Sequence, residues 1–206
     1  ETGLWNNHNV FDVCHPMGWL QDPNTVLKFY NERRDDVRKA NPNKAHISIA
    51  KLEEQFDVFI TQNIDDLHER AGSTNVLHLH GEIAKVRSDN DSEYNVFDIG
   101  YAKTKLGDLC ENGYQLRPHI VWFEEEPFEF NEAVHHFSTA DKVLIVGTSL
   151  QVYPAASLPN LSHKAKDKIL IVPEETTPPT GYKLHRGLGS TLVPSVVNSW
   201  ISNLKK

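Results

Sequence analysis

The chain has 206 residues, 39% of them apolar, and a formal net charge of −7 at pH 7. That length suits one compact domain or a core with a small insertion. The acidic balance argues against direct nucleic-acid binding, which needs a basic face. No apolar run reaches membrane-spanning length, and no signal peptide is visible. The two cysteines, Cys14 and Cys110, lie far apart and form no CxxC pair. They suggest a reducing cytoplasm rather than a disulfide framework.

Residues 1–8, ETGLWNNH, read as a loop with no strand before it. Asp22-Pro23 supplies a helix start, with Asp as N-cap and Pro at the first helical position. Val26, Leu27, Tyr30, Arg33 or Arg34, and Val37 follow at helical spacing until Asn41-Pro42-Asn43 breaks the pattern. A second helix is predicted over 45–55. Residues 58–60 read as a buried strand that turns polar at Thr61-Gln62-Asn63. Asp65 or Asp66 can cap a short helix that Gly72 ends. A second apolar run over 76–79 leads to His80-Gly81.

Residues 85–113 show no clear periodicity and read as a small irregular module, with a polar loop over 88–93. Further strands are predicted at 119–123, 142–146 and 168–172, and further helices at 129–138 and 190–204. Alternating strands and helices argue for a parallel α/β sheet covered on both faces. In such sheets ligands bind beyond the carboxyl ends of the strands.

Several groups there can do chemistry. His80 lies between a strand end and a glycine. Its position alone favours a backbone-bonded histidine over a base, although imidazole titrates near pH ~6.5. His78 would share its face, but nothing nearby completes a metal-ligand set. Gln62, Asn63 and Asp65 can grip an amide or a ribose, or simply cap a helix. Gly147-Thr148-Ser149 follows the clearest strand and suits close approach of a phosphate or ribose. There is no GxGxxG, Walker A or GxSxG motif. Tyr30 and Arg33, three apart on a helix, can hold a carboxylate, although the spacing alone favours a solvated charged face.

In order, these pieces resemble the sirtuins, NAD-dependent protein-lysine deacylases. The resemblance rests on Thr61-Gln62-Asn63-Ile64-Asp65, Leu67-His68-x-Arg70-Ala71-Gly72 and Leu79-His80-Gly81. It continues through Arg117-Pro118-His119-Ile120-Val121-Trp122-Phe123, then Gly147-Thr148-Ser149 with Val152-Tyr153-Pro154-Ala155-Ala156. It covers nearly the whole chain and reverses the reading of His80.

The resemblance implies a Rossmann-like NAD-binding domain over 1–84 and 114–206, with residues 85–113 replacing the family's zinc module. It implies NAD as cofactor and acyl-lysine proteins or peptides as substrates. His80 is then the general base. Gln62 meets the ribose, and Asn63, Ile64 and Asp65 form the nicotinamide pocket. Gly147, Thr148 and Ser149 lie along the cofactor, Glu174 and Glu175 lie beside the adenosine, and Leu188 and Gly189 offer backbone to the adenine. Val121, Trp122 and Phe123 bind substrate backbone by strand addition. The products are free lysine, nicotinamide and O-acyl-ADP-ribose.

The segment FYNERR resembles the branch that removes succinyl and malonyl groups, where Tyr30 and Arg33 read the acid end and Cys14 stands where a small residue opens the pocket. Acidic acyl groups are therefore the expected preference, with acetyl also accepted. An NAD hydrolase or ADP-ribosyltransferase on the same scaffold, and a non-catalytic binder, are the alternatives.

Three departures from the family pattern stand out. Only Cys110 lies between His80 and Arg117, so a four-cysteine zinc site cannot form and no metal is expected. Gly3-Leu4-Trp5 lies almost at the start, where a strand and a Gly-rich phosphate loop should come before it. The usual Phe-Gly-Glu is Phe123-Glu124-Glu125, and Pro173 replaces an asparagine.

Overall fold

The computed structural model describes residues 8–53, 59–90 and 95–204. Among these, the chain divides into two compact units. One is drawn from residues 8–40, 63–66, 80–90 and 95–128, the other from 41–53, 59–62, 67–79 and 129–204.

The first unit begins with three helices, α1 Val10–Val13, α2 Pro16–Gln21 and α3 Pro23–Lys39. Each starts at a side-chain cap. Asn9 accepts from Phe11 N–H, His15 Nδ1 from Met17 N–H, and Asp22 from Thr25 N–H. Asp22-Pro23 thus starts α3 as its sequence predicts.

Helix α3 packs on an antiparallel sheet of order β4-β3-β5, formed by β3 Gly81–Ser88, β4 Val96–Asp98 and β5 Leu116–Ile120. Val13, Trp19, Val26, Phe29, Tyr30, Ile83, Ile120 and Trp122 form its core. At the ambiguous helical position it is Arg34, not Arg33, that is fully buried. Its Nε donates to the Ile83 carbonyl at 2.8 Å and its Nη1 to Asn31 Oδ1 at 2.9 Å. Burial pushes the guanidinium pKa down to about 10.

The second unit holds α4 Lys44–Glu53, the parallel pair β1 Phe59–Thr61 and β2 Val76–His78, and α5 Leu67–Arg70 between them. After these come α6 Phe130–Thr139 and a parallel sheet of order β6-β7-β8, formed by Lys142–Val146, Asp167–Val172 and Lys183–Arg186. Helix α7 Gly189–Leu204 ends the described chain.

Alternation along β6 and β7 gives that sheet two apolar faces. Leu144, Val146, Ile169 and Ile171 pack with Ala45 and Leu52 of α4 and Val193 and Val197 of α7. Val143, Ile145, Leu170 and Val172 pack with Phe137 of α6. Both faces are therefore covered, which is why these strands read as continuous apolar runs. The protein is an α/β fold with parallel sheets. Among the described residues, no helix is long and apolar enough to cross a membrane.

The structure departs from the sequence reading in three places. The expected irregular stretch over 85–113 contains paired strands, with Lys85 opposite Asp98 and Arg87 opposite Val96. An irregularity in register between Gly81 and Val86 breaks the alternation that would reveal β3. The strand expected at 119–123 lies at Leu116–Ile120 instead. The Glu125 carboxylate takes the Trp122 N–H at 2.8 Å and turns the chain out of the sheet. Strand β8 carries the half-exposed sequence KLHR, too polar to announce a strand. Val58 and residues 1–7 lie outside the described residues.

Leu170 is fully buried in the central strand β7. Leu170→Ala should cost about 2–5 kcal/mol of unfolding free energy, read as a lower urea midpoint with an unchanged m-value.

Candidate active site

In the second unit the strand ends gather the polar groups. Gln62 follows β1, and its Nε2 donates to Thr148 Oγ1 at 3.4 Å, just past β6. Gly147 takes a positive φ of 66°, and its N–H donates to the Ile171 carbonyl of β7 at 2.9 Å. Ser149 is exposed. Glu174 and Glu175 follow β7 and are also exposed, with Glu175 reaching Arg186 Nη1 at 3.7 Å. Leu188 and Gly189 follow β8, where the exposed Leu188 presents its carbonyl to the start of α7. A Cβ on Gly189 would lie 2.9 Å from Val146 Cγ1, so this helix start depends on glycine to pack against β6. All these residues thus stand at the carboxyl ends of parallel strands.

Two further histidines lie on β2 and on α5. His78 is buried, with its Nε2 2.7 Å from Glu69 Oε1. Burial and nearby His46 push the pKa of His68 down to about 4.

In the first unit, His80 is half-buried at the turn into β3. Its carbonyl accepts the Val121 N–H at 3.0 Å. Gly81 has φ +84°, and a Cβ there would overlap the His119 carbonyl. Only glycine allows this approach, and it fixes His80 beside β5. The Ile64 carbonyl accepts the Ile83 N–H at 2.7 Å, which holds Asn63, Ile64 and Asp65 against β3. Asp66 accepts a hydrogen bond from the Tyr101 hydroxyl.

Residues 121–123 have all three backbone N–H groups engaged. Val121 donates to His80, Trp122 to Glu125 and Phe123 to Cys14. A peptide lying along this stretch would have to bring donors to its carbonyls rather than exchange bonds both ways, a constraint on strand addition that the motif alone does not reveal.

Cys14, Tyr30 and Trp122 come together in the core. Tyr30 is hydrogen-bonded to Cys14, and its hydroxyl accepts the Trp122 indole N–H at 3.1 Å. Burial pushes the Cys14 thiol up to about 11 and raises the Tyr30 phenol well above its ordinary range, so both are protonated at neutral pH. Arg33, one turn along α3, stacks over Phe29 with Cζ 4.8 Å from the ring centroid and pairs with Asp36 at 2.8 Å.

Beneath this cluster lies a charged group that motif spacing does not reveal. Arg117 Nη1 and Nη2 donate to Glu125 at 2.7 and 3.1 Å, and Arg87 Nη2 donates to both carboxylate oxygens. The Arg117 guanidinium lies 3.3 Å from the Trp122 ring centroid. Arg87 and Glu125 are 38 positions apart, so no local pattern joins them.

The sequence model of the Sir2 family matches residues 1–154. The chain belongs to the Sir2 family. An NAD-dependent protein deacylase of Helicobacter pylori strain J99 is 48% identical over 169 residues, covering 82% of this chain and 70% of that protein. A Sir2 homologue solved with NAD superposes with a TM-score of 0.87 at 38% identity, over 99% of this chain and 82% of the other. A substituted Sir2 homologue bound to 2′-O-acetyl ADP-ribose superposes with a TM-score of 0.86 at 36% identity, over 100% of this chain and 85% of the other. This sirtuin is an NAD-dependent protein deacylase that takes NAD as cofactor and releases acyl-ADP-ribose.

The Arg117–Glu125 pair yields a test of pH dependence. Burial alone would push the Glu125 carboxyl up, but hydrogen bonds and charge from Arg117, with help from Arg87, hold it below its ordinary value of 4.5. Its contribution to stability is thus fully present above about pH 4.5 and lost as pH falls through the lower folded value. Glu125→Gln leaves two buried guanidinium groups without this carboxylate and should cost about 3–5 kcal/mol at pH 7. Denaturant titrations at falling pH should show wild type and variant converging below pH 4.5.

Proposed function

We propose that His80 is the general base of deacylation and that the strand-end residues of the second unit receive NAD. In this reading Gln62 meets the ribose. Gly147, Thr148 and Ser149 line the cofactor, Glu174 and Glu175 lie beside the adenosine, and Leu188 and Gly189 offer backbone to the adenine. Asn63, Ile64 and Asp65 serve the nicotinamide. The observation that carries the proposal is the gathering, within the second unit, of Gln62, Thr148, Glu174, Glu175 and Gly189 beyond the carboxyl ends of β1, β6, β7 and β8, where parallel sheets bind ligands. Exposed Gly147 and Ser149 leave room for a dinucleotide, and the Thr148 hydroxyl and Gln62 amide match its sugar hydroxyls. The fold core is thus read as Rossmann-like over 1–84 and 114–206. Residues 85–113 stand in for the zinc module without holding zinc, and stoichiometric zinc on metal analysis would contradict this. Two buried free cysteines suit a cytoplasmic setting.

When bound, NAD supplies a ribose carbon bearing nicotinamide as leaving group. The chain's own task is positioning and proton transfer. His80, held by Gly81 and its bond to Val121, accepts a proton from a ribose hydroxyl at an imidazole nitrogen. Val121, Trp122 and Phe123 line the peptide, which bonds to the carbonyls of Val121 and Phe123; the Trp122 carbonyl already accepts the Glu125 N–H at 3.0 Å.

The acyl preference is for acidic groups such as succinyl and malonyl, with acetyl accepted. Cys14, Tyr30 and Arg33 form the acyl pocket. Tyr30, bonded to Trp122 and Cys14, builds the wall. Arg33 reads the charge, and an incoming carboxylate shares or displaces its exposed partner Asp36. This names acylated lysine peptides as substrates and acidic acyl-lysines as the favoured ones.

His80→Ala should lower peptide deacylation by about 10²–10⁴-fold, measured by nicotinamide release and mass spectrometry of the acyl-ADP-ribose. NAD consumption independent of acyl-peptide would favour hydrolysis instead. Arg33→Met should abolish desuccinylation while sparing deacetylation of the same peptide, and equal loss of both would sink the acyl-pocket assignment.

A further inference from the structure

We infer that His15 and Glu124 form a latch that positions 121–123 against the Cys14 wall, and so set affinity for the acyl-peptide without entering the chemistry. The inference rests on the reading of 121–123 and Cys14 as substrate-binding.

Glu124 has φ +72°, a left-handed conformation that side-chain-bearing residues rarely adopt. The family pattern places glycine at this position. A strained residue beside a binding stretch marks a constraint that the surrounding structure enforces. Here the carboxylate reaches back, with Oε2 3.2 Å from His15 Nε2.

His15 is well held for this role. Its Nδ1 accepts the Met17 N–H at 3.0 Å, so that nitrogen carries no proton. The neutral ring therefore carries its proton on Nε2, the edge that faces Glu124. Phe11 stacks on the ring with centroids 4.2 Å apart and planes 26° apart.

The latch completes a series. Trp122 bonds to Tyr30, Phe123 N–H donates to the Cys14 carbonyl at 3.0 Å, and Glu124 contacts His15. Three consecutive residues are thus tied to three points on the helical segment that builds the acyl pocket. The Trp122–Tyr30 tie is buried, but the Glu124 side chain is 76% exposed. It can be removed without opening the core.

The test uses three single latch variants, one double variant and one control peptide, read for KM and kcat with acetyl-lysine and succinyl-lysine substrates and for KM of NAD. His15→Asn keeps a good N-cap for α2. Glu124→Gly suits the left-handed backbone. Both should fold, as thermal melts will verify. Each should raise peptide KM about three- to fivefold, the scale of one exposed contact to a carboxylate, with kcat and the KM of NAD unchanged. The double variant should be no worse than either single one. Glu124→Gln, whose amide oxygen can face the same Nε2–H, should restore most of the affinity.

Unchanged peptide KM in the folded single variants, or fully additive effects in the double, would overturn the latch. The control for the underlying reading is a peptide N-methylated at the residues flanking the acyl-lysine, which removes the donors that the Val121 and Phe123 carbonyls would accept from. If methylation leaves peptide KM unchanged, the substrate assignment of 121–123 fails, and the latch with it. If methylation raises KM while the latch variants do not, the latch alone fails.

Discussion

The carboxylate of Glu125 is the point on which the first unit turns. It accepts bonds from Arg87, Arg117 and the Trp122 backbone, and so ends β5 and starts the loop that follows. Two guanidinium groups so deep in an apolar core would be costly without it. With it, β3 and β5 are cross-linked by charge as well as by ladder bonds. Trp122 is then delivered to Tyr30, which accepts its indole N–H in the core.

The same logic explains the two residues that read as an acid-binding pair. On a bare helix, Tyr30 and Arg33 look equivalent. The core separates them. Tyr30 is fully buried and satisfied by indole and thiol, whereas Arg33 lies against Phe29 with an exposed carboxylate as partner. In the proposed acyl pocket one residue would shape the wall, and the other would be left to discriminate by charge.

Much of this was legible in the amino-acid order. Helix α3 shows its start in Asp22-Pro23, and β6 shows itself as an unbroken apolar run because both its faces are covered. The strand-end residues Gln62, Thr148 and Gly189 follow from such patterns and from the family resemblance. What escaped were features set by partners distant in sequence. The broken register of β3 hides its alternation, polar β8 lacks a strand signal, and β5 is shifted by a carboxylate from beyond its end. The Arg87–Glu125 bond and the His15–Glu124 contact join segments 38 and 109 positions apart, so no local window contains either pair.

The interleaving of the two units along the chain also bears on how the protein comes into being. Tyr30 and its indole partner are 92 positions apart, and the core they share closes over the strands between them. During synthesis, the three helices leave the ribosome long before Trp122 does, with Phe29 and Tyr30 still lacking the surface they will bury against. Contacts of such long sequence separation are slow to form, and newly made helices with an uncovered apolar face are exposed to aggregation. The nascent chain is therefore vulnerable in the interval between the emergence of α3 and that of β5.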